Sequence, residues 1–286
     1  MQTSYYHGKS ALITGGSSGI GLAFAKHLAS LGANVWILAR RMDVLASAKQ
    51  EIEAARLDAS QKVGTICADI CDRELVTAVL EEHLAHHGTP DILFNGAGIT
   101  HPALFVDTPI EIFDDIIGTN YLGTINVIRV FLPAMLARGS GHVAIVGSGA
   151  GFLGIIGYSA YCSSKFALRG LADVLRVECK PGGVKVHYIA PADTQTPQLD
   201  YENQFKPAIT REFVGSGSVV HTPEEVAVTV SREMARGRYM IVPAAEARLY
   251  YNITNSFGVF YPIVDLVLNR AWKKVNRSKG NGRHQD

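Results

Sequence analysis

Short apolar segments alternate with longer amphipathic segments along most of the chain. The apolar segments are almost continuously hydrophobic, as expected of strands that are buried on both faces of a sheet. They lie at 10–14, 34–38, 63–67, 91–95, 142–146 and 184–190, with a further one near 239–242. Helical patterns fall between them, near 20–31, 42–57, 72–87, 110–138 and 158–179. This alternation predicts a doubly wound α/β fold of the Rossmann type, with a parallel sheet and helices on both faces.

The organisation of the chain follows from the same pattern. No internal repeat, low-complexity linker or change of composition interrupts it before about residue 245. We therefore expect one domain over 1–245, with a substrate loop near 192–222, followed by a C-terminal extension over 246–286 that is first apolar and then basic.

Composition and charge exclude several classes of function. The chain is 47% hydrophobic and 19% charged with a net charge of +1, so nothing global indicates nucleic-acid binding. Its four cysteines form no CxxC pair, which favours free thiols in a reducing, cytoplasmic compartment. The longest uncharged run, 249–264, is 16 residues long and contains several polar residues and a proline. That run is too short and too polar to predict a transmembrane helix.

A glycine-rich turn follows the first predicted strand and opens the first long helix. Its glycines, Gly15, Gly19 and Gly21, form a TGxxxGxG pattern in which Leu22 stands where a phosphate-binding loop of the GxxxxGK[ST] type would carry lysine. Glycines at such a turn let the backbone approach a pyrophosphate and place it at a helix N-terminus, where N–H groups and the helix dipole favour an anion. The turn predicts a dinucleotide site.

The end of the second strand indicates which dinucleotide binds. NAD sites usually carry an acidic residue there for the ribose 2′-hydroxyl, whereas arginine accommodates a 2′-phosphate. This chain has Ala39 followed by Arg40 and Arg41, and a guanidinium can bind phosphate through two hydrogen bonds. NADP(H) is the predicted cofactor.

A tyrosine and a lysine stand four residues apart in the segment GYSAYCSSKFA, 157–167. Residues at this spacing share one face of a helix, so Tyr161 lies beside Lys165, whereas Tyr158 faces Cys162. A nearby ammonium typically lowers the pKa of a phenol by ~1–3 units from its reference of about 10. We expect a lowered pKa for Tyr161, which would make it a proton donor or acceptor near neutral pH.

Together these motifs resemble the classical short-chain dehydrogenase/reductase family. The resemblance is carried by TGGSSGIG, by NGAG at 95–98, by Asn120, by Ser148 thirteen residues before Tyr161, and by Tyr161-x-x-x-Lys165, over about residues 9–242. Further segments resemble the branch of 3-ketodihydrosphingosine (3-oxosphinganine) reductases. These segments are PADTQTP at 191–197, ENQFKP at 202–207, TPEEVA at 222–227 and SKFALRGLADVLRVECKP at 164–181.

The resemblance implies roles for individual residues. Tyr161 would supply the proton, Lys165 would stabilise the phenolate and hold the nicotinamide ribose, and Ser148 would hydrogen-bond the carbonyl oxygen. The implied catalytic set is Ser148, Tyr161, Lys165 and Asn120. The expected cofactor contacts are Gly15, Ser17, Ser18, Gly19, Ile20, Gly21, Arg40, Arg41, Asp69, Ile70, Asn95, Ala97, Tyr161, Lys165, Pro191, Thr194 and Thr196.

Some assignments have alternatives. Asn120 would support a water chain to Lys165 or would be a satisfied core amide, and Asp69 would contact adenine or cap a helix. Three histidines on one predicted helix, at 83, 86 and 87, have no carboxylate or cysteine to complete a metal site, so we expect no metal.

The chain departs from its family at four places. The usual second asparagine of the NNAG motif is Gly96, and Pro191 is followed by alanine, which fits the sphingoid branch. That branch often has lysine four residues after the arginine of strand two, where this chain has Val44, so phosphate binding would rest on Arg40, Ser17 and Arg41. Eukaryotic members of the branch carry an N-terminal membrane segment, and this sequence begins almost at the first strand, so we expect no permanent anchor there.

The leading functional expectation is NADPH-dependent reduction of a long-chain lipid ketone, most specifically 3-oxosphinganine to sphinganine. The alternatives are reduction of another lipid ketone, such as a steroid or 3-oxoacyl chain, and a non-catalytic NADPH sensor or scaffold. We also expect a homo-oligomer. The C-terminal extension, with a net charge of +5 over 270–286, would be either a peripheral membrane element or a lid or oligomer contact.

Overall fold

The protein forms a parallel sheet with helices packed on both faces. The computed structural model describes residues 2–214, 219–245, 247–249 and 251–252, together with 266, 270, 273 and 274. Its strands are β1 Ser10–Thr14, β2 Asn34–Ala39, β3 Val63–Cys67, β4 Ile92–Asn95, β5 Gly141–Val146, β6 Val184–Ile189 and β7 Met240–Ile241. Among the described residues they pair in the order β3-β2-β1-β4-β5-β6-β7, every pair parallel. The predicted fold class is confirmed.

The helices divide between the two faces of this sheet. In the described part of the chain they are α1 Gln2–Tyr6, α2 Gly19–Ser30, α3 Met42–Ala54, α4 Arg73–His87, α5 Ile110–Ile117, α6 Thr124–Arg138, α7 Ser159–Glu178, α8 Pro197–Phe205, α9 Ala208–Val214 and α10 Pro223–Ala235. Buried side chains of α2, α3 and α10 form one hydrophobic core against the sheet, and those of α4, α6 and α7 form a second core on the opposite face. The central strands are therefore covered on both sides, which explains their unbroken apolar sequence, whereas β3, at one edge of the sheet, has no buried residue.

One predicted helix is interrupted in a way that the hydrophobic pattern did not predict. Between α5 and α6 the chain forms a π-helical segment, Gly118–Gly123, so that 110–138 is one long helix with a wider central turn. By length and composition this helix could cross a membrane, and 44% of its most apolar 18-residue window is buried within the structure. The apolar character of the helix is thus partly accounted for by core packing.

The predicted substrate loop, 192–222, contains secondary structure. Helices α8 and α9 form within it, and Thr196 caps α8 by accepting a hydrogen bond from the Leu199 N–H. Thr222 and Glu225 form a capping box at the start of α10, with proline at the first helical position. The hydrophobic pattern missed α1, α8, α9 and α10, although the capping residues of α8 and α10 can be recognised in the sequence.

Most of the C-terminal extension, 246–286, lies outside the described residues. Within the described portion, the ring of Tyr251 packs on Phe152 with centroids 4.9 Å apart. Lys274 Nζ lies 2.7 Å from Glu212 Oε1. The boundary at residue 245 stays a prediction.

Candidate active site

A cleft opens at the carboxyl ends of the strands, where the strand order reverses between β1 and β4. Two adjoining cavities form it and share the backbone of Gly15, Ser18, Ala97 and Gly98. This is the position at which open α/β sheets bind their ligands.

The glycine turn after β1 is packed too closely to carry side chains. Gly15 has φ +66°, and a Cβ there would lie 2.8 Å from the Ala97 Cα. A Cβ on Gly21 would lie 2.2 Å from the Gly15 carbonyl oxygen. Ser18 precedes α2 without forming a side-chain cap, and the first residues of α2 line the cleft. The turn therefore offers backbone N–H groups to an anion, as a pyrophosphate requires.

The other end of the cleft carries positive charge. Arg40 and Arg41 line it together with Asp69, and Arg40 Nη1 lies 3.6 Å from Asp69 Oδ2. The side chain of Arg40 is 61% exposed, so its guanidinium is accessible to a phosphate. The N-cap of α4 is Asp72, whose carboxylate accepts the Leu75 N–H at 3.0 Å, so the interpretation of Asp69 as the helix cap is wrong.

With one exception, the predicted cofactor residues line these two cavities. They are Gly15, Ser17, Ser18, Gly19, Ile20, Gly21, Arg40, Arg41, Asp69, Ile70, Ala97, Tyr161, Lys165, Pro191, Thr194 and Thr196. The exception is Asn95, whose side chain is buried and donates from Nδ2 to the Ala144 carbonyl at 3.1 Å. At the next position a Cβ on Gly96 would lie 2.8 Å from the Phe94 ring, which explains why the family's second asparagine is absent.

Three of the predicted catalytic side chains meet in the cleft. Helix α7 presents Tyr161 and Lys165 on one face, and Ser148 follows β5 at the start of a 3₁₀ turn, Gly149–Gly151. The side chains of Tyr161 and Ser148 line the same cavity, together with Gln198. Lys165, 4% exposed, donates from Nζ to the Val146 carbonyl at 3.0 Å. The site thus brings two hydroxyl groups, of Tyr161 and Ser148, and the ammonium group of Lys165 into one cavity.

The expectation of a lowered pKa for Tyr161 is wrong in this structure. Burial and the carboxylate of Glu202 raise the pKa of Tyr161 by more than the nearby side chains of Ser148 and Gln198 lower it. Lys165 Nζ is 5.3 Å from the centre of the phenol ring. Burial lowers the pKa of Lys165 to about 8, with Glu202 opposing this shift. At neutral pH the phenol is therefore a neutral proton donor beside a largely protonated lysine.

Asn120 lies in the π-helical segment and is fully buried. Its Oδ1 accepts the Ile99 N–H at 2.8 Å, and its Nδ2 donates to the Ile99 carbonyl and to Ser164 Oγ at 3.0 and 2.9 Å. A Cβ built on Gly98 would meet Asn120 Oδ1 and Lys165 Nζ at 3.2 and 3.6 Å, so both groups flank this glycine. The amide is well satisfied by protein groups, as the core-amide alternative expects.

Sequence reasoning missed three polar residues that line the cavity together with Lys165, namely Tyr158, Gln198 and Glu202. Tyr158 donates from its hydroxyl to Glu202 Oε2 at 2.7 Å, and Gln198 Nε2 donates to Glu202 Oε1 at 3.1 Å. Glu202 lies in the segment ENQFKP, which carried the resemblance but received no role. Helical spacing of four residues between Gln198 and Glu202 was visible, whereas their contact with Tyr161 depends on how α8 folds over the cleft.

Of the three histidines of α4, His83 is a core residue and His86 and His87 are exposed. The ring of His83 packs edge-on against Trp36 with centroids 5.4 Å apart, and burial lowers the pKa of His83 to about 4. No group of three or more metal-ligating side chains occurs among the residues that the structure describes.

Comparisons with known proteins agree with this geometry. The sequence model described as short chain dehydrogenase matches residues 9–207. A bovine 3-ketodihydrosphingosine reductase is 39% identical over 233 residues, which cover 81% of this chain and 70% of the bovine protein. One from Dictyostelium discoideum is 31% identical over 308 aligned positions, covering 95% of this chain and 91% of the relative.

A solved structure of a metagenomic short-chain oxidoreductase in complex with NADP is also similar. It is 28% identical and superposes with a TM-score of 0.67, and the match covers 83% of this chain and 96% of that one. The chain belongs to the short-chain dehydrogenase family.

Proposed function

We propose that the protein uses NADPH to reduce 3-oxosphinganine, a long-chain ketone with an amino group on the adjacent carbon, to sphinganine. The observation that carries the proposal is the cleft with Tyr161, Ser148 and Lys165 on one side and Arg40 on the other, in a chain 31–39% identical to 3-ketodihydrosphingosine reductases. The enzyme is accordingly an NADP-dependent oxidoreductase acting on a hydroxyl/ketone pair.

The residues present fit NADP(H). The crowded glycine turn leaves room only for backbone near Gly15 and Gly21, as a pyrophosphate site needs, and Arg40 with Arg41 provides cations where a 2′-phosphate would lie. The related oxidoreductase of 28% identity was solved in complex with NADP. When bound, the cofactor supplies hydride to the carbonyl carbon.

The chain's own residues handle the proton and the developing charge. Tyr161, a neutral phenol in its buried setting, donates its proton to the ketone oxygen. Ser148 donates a hydrogen bond to the same oxygen and stabilises the negative charge that builds on it. Lys165 carries its positive charge close to the phenol and stabilises the phenolate that remains after proton transfer. It can do so because it keeps its charge at neutral pH although it is buried. Asn120 fixes the turn that carries Ile99 at the rear of the site.

The first experiment is a panel of ketones with purified protein, NADPH or NADH, and chemical identification of the product. We expect turnover of 3-oxosphinganine with NADPH to exceed turnover of steroid and 3-oxoacyl ketones. Preference for one of the other ketones would identify a different lipid reductase. NADPH binding without turnover of any ketone would indicate the non-catalytic alternative.

We also propose that the C-terminal extension, 246–286, brings this cytoplasmic enzyme to membranes where a lipid ketone resides. Its support is sequence alone: apolar and aromatic residues are followed by a basic segment, and basic residues near an anionic surface contribute about 1 kcal/mol each. The intact chain should sediment with anionic liposomes at low salt, and a chain ending at Ala247 should not. If a folded truncated chain binds the liposomes equally well, the segment belongs to the core or to an oligomer interface. Sedimentation of the protein without liposomes would detect the oligomer.

A further inference from the structure

The cleft contains a buried carboxylate that the reduction of a plain ketone does not need. Glu202 is 9% exposed and lines the same cavity as Tyr161 and Lys165. Gln198 lines this cavity too, and its Nε2 donates to Glu202 Oε1 at 3.1 Å. The carboxylate therefore borders the same cavity as the proton donor, close enough for its charge to raise the pKa of Tyr161.

The charge of this carboxylate opposes the chemistry proposed for the site. Reduction places negative charge on the ketone oxygen and then on the phenol, and a nearby carboxylate repels both. Its effect is visible in the free protein, where Glu202 raises the pKa of Tyr161. A site built for neutral ketones would be better without it.

Lys206 forms an ion pair with this carboxylate, but at a distance longer than a hydrogen bond. Its Nζ lies 3.8 Å from Glu202 Oε2 and donates instead to Asn203 Oδ1 at 3.0 Å. The direct donors to the carboxylate, Tyr158 and Gln198, are neutral. Because the hydrogen bonds that this carboxylate accepts come from neutral groups and its ion pair is long, its oxygens can still accept a hydrogen bond from the cation of a ligand.

We propose that Glu202 binds the ammonium group of the substrate and selects ketones that carry an amine next to the carbonyl. This inference rests on the proposed function, in which the amine is bonded to the carbon adjacent to the ketone. An amine beside a carbonyl, such as the α-amino group of a chain, has a pKa of about 7.7–8.0 and is mostly cationic at pH 7. When the ketone oxygen lies at Tyr161 and Ser148, the ammonium group on the adjacent carbon lies toward Gln198 and Glu202. There it cancels the unfavourable charge of the carboxylate.

The test compares two ketones of the same chain length, shortened until they stay monomeric in water. One is the 2-amino-3-ketone, and the other has hydrogen in place of the amine. The Glu202→Gln variant should lose about 10- to 100-fold in kcat/KM for the amino ketone, since charged hydrogen bonds are the stronger class. For the amine-free ketone its kcat/KM should stay within about 3-fold or rise. Asp200→Asn, an exposed neighbour on α8, is the matched control and should change neither value.

The outcomes separate the inference from the function on which it rests. If the wild type reduces the amino ketone but Glu202→Gln changes both ketones equally, or neither, the inference is overturned and the proposed function stands. If the wild type does not reduce the amino ketone at all, the proposed function itself fails.

A measurement on the unchanged protein guards against a variant that does not fold. With NADP⁺ present, a long-chain amino alcohol should inhibit ketone reduction by the wild type. It should do so at concentrations at least about 10-fold lower than the same alcohol without the amine. Equal inhibition by the two alcohols would overturn the role of Glu202.

Discussion

Two stacked histidines on neighbouring strands of the sheet allow us to predict how the stability of the protein depends on pH. His142 on β5 and His187 on β6 are buried with ring centroids 5.1 Å apart. His187 Nδ1 lies 2.6 Å from the Arg238 carbonyl and must donate to it, so its Nε2 accepts from His142 Nδ1 at 2.8 Å. The remaining nitrogen of His142 then accepts from the Tyr5 hydroxyl at 2.7 Å. Every donor and acceptor in this series of hydrogen bonds has a partner only when both imidazoles are neutral.

A proton added to His187 would therefore place two N–H groups face to face, and one added to His142 Nε2 would remove the acceptor of the Tyr5 hydroxyl proton. Consistent with this, burial, together with a smaller effect of the neighbouring Lys185, lowers the pKa of His142 to about 3 and that of His187 to about 4. The unfolded chain takes up these protons near pH 6.5, so below that pH it binds more protons than the folded state. Stability should thus fall as pH drops from about 6.5 toward 4. From pH 7 to 5 each histidine costs about 2 kcal/mol of unfolding free energy, about 4 for the pair.

The assay is urea unfolding at pH 7 and at pH 5, for the wild type and for His142→Gln, which removes one titrating ring. The variant should lose about 2 kcal/mol less than the wild type over this interval, whatever its stability at pH 7. His86→Gln, at an exposed site on α4, should keep the wild-type dependence. An identical loss in wild type and His142→Gln would refute the neutral hydrogen-bonded pair.

Three further predictions concern the cleft. Ala39→Asp with Arg40→Ser should move the ratio of kcat/KM for NADPH and NADH toward NADH by about 10- to 100-fold, because it exchanges a phosphate-binding cation for a ribose-binding carboxylate; an unchanged ratio would place the 2′-phosphate elsewhere. Gly21→Ala forces a methyl group to within 2.2 Å of a backbone oxygen and should weaken NADPH binding by more than about 10-fold in a fluorescence titration. Gly170→Ala on α7, with nothing within 4 Å, should bind normally and gain about 1 kcal/mol of stability. For the amine-free ketone, whose own charge does not change, kcat/KM should fall as pH rises above about 8, where Lys165 loses its charge, and Lys165→Arg should move this fall to higher pH; a profile unchanged in the variant would contradict it.

The hydrophobic pattern predicted the sheet well because the central strands are buried on both faces and bounded by polar turns. Segments such as ILFN and HVAIV admit few other structures. The same pattern could not show the π-helical segment at 118–123, because a wider helical turn leaves the apolar spacing nearly unchanged. Nor could it show α8 and α9, where short helices depend on caps and on packing against the cleft.

The site was predictable where local spacing determines it. The four-residue spacing of Tyr161 and Lys165 and the glycine turn are local features, and the structure brings them to one cleft. The direction of the pKa shift of Tyr161 was not predictable, because burial and Glu202 act through tertiary contacts that spacing does not contain. For the same reason the sequence showed ENQFKP as a motif but not the carboxylate beside the phenol.

The central claim is that Tyr161 gives its proton to a lipid ketone while NADPH reduces it. The most direct test measures NADPH oxidation and sphinganine formation from 3-oxosphinganine by the wild type, Tyr161→Phe and Tyr158→Phe, with NADPH binding as the check on folding. The account predicts stoichiometric sphinganine from the wild type, a loss of about 10²- to 10⁴-fold in kcat for Tyr161→Phe with NADPH affinity retained, and a much smaller loss for Tyr158→Phe. Turnover by Tyr161→Phe close to that of the wild type would contradict it.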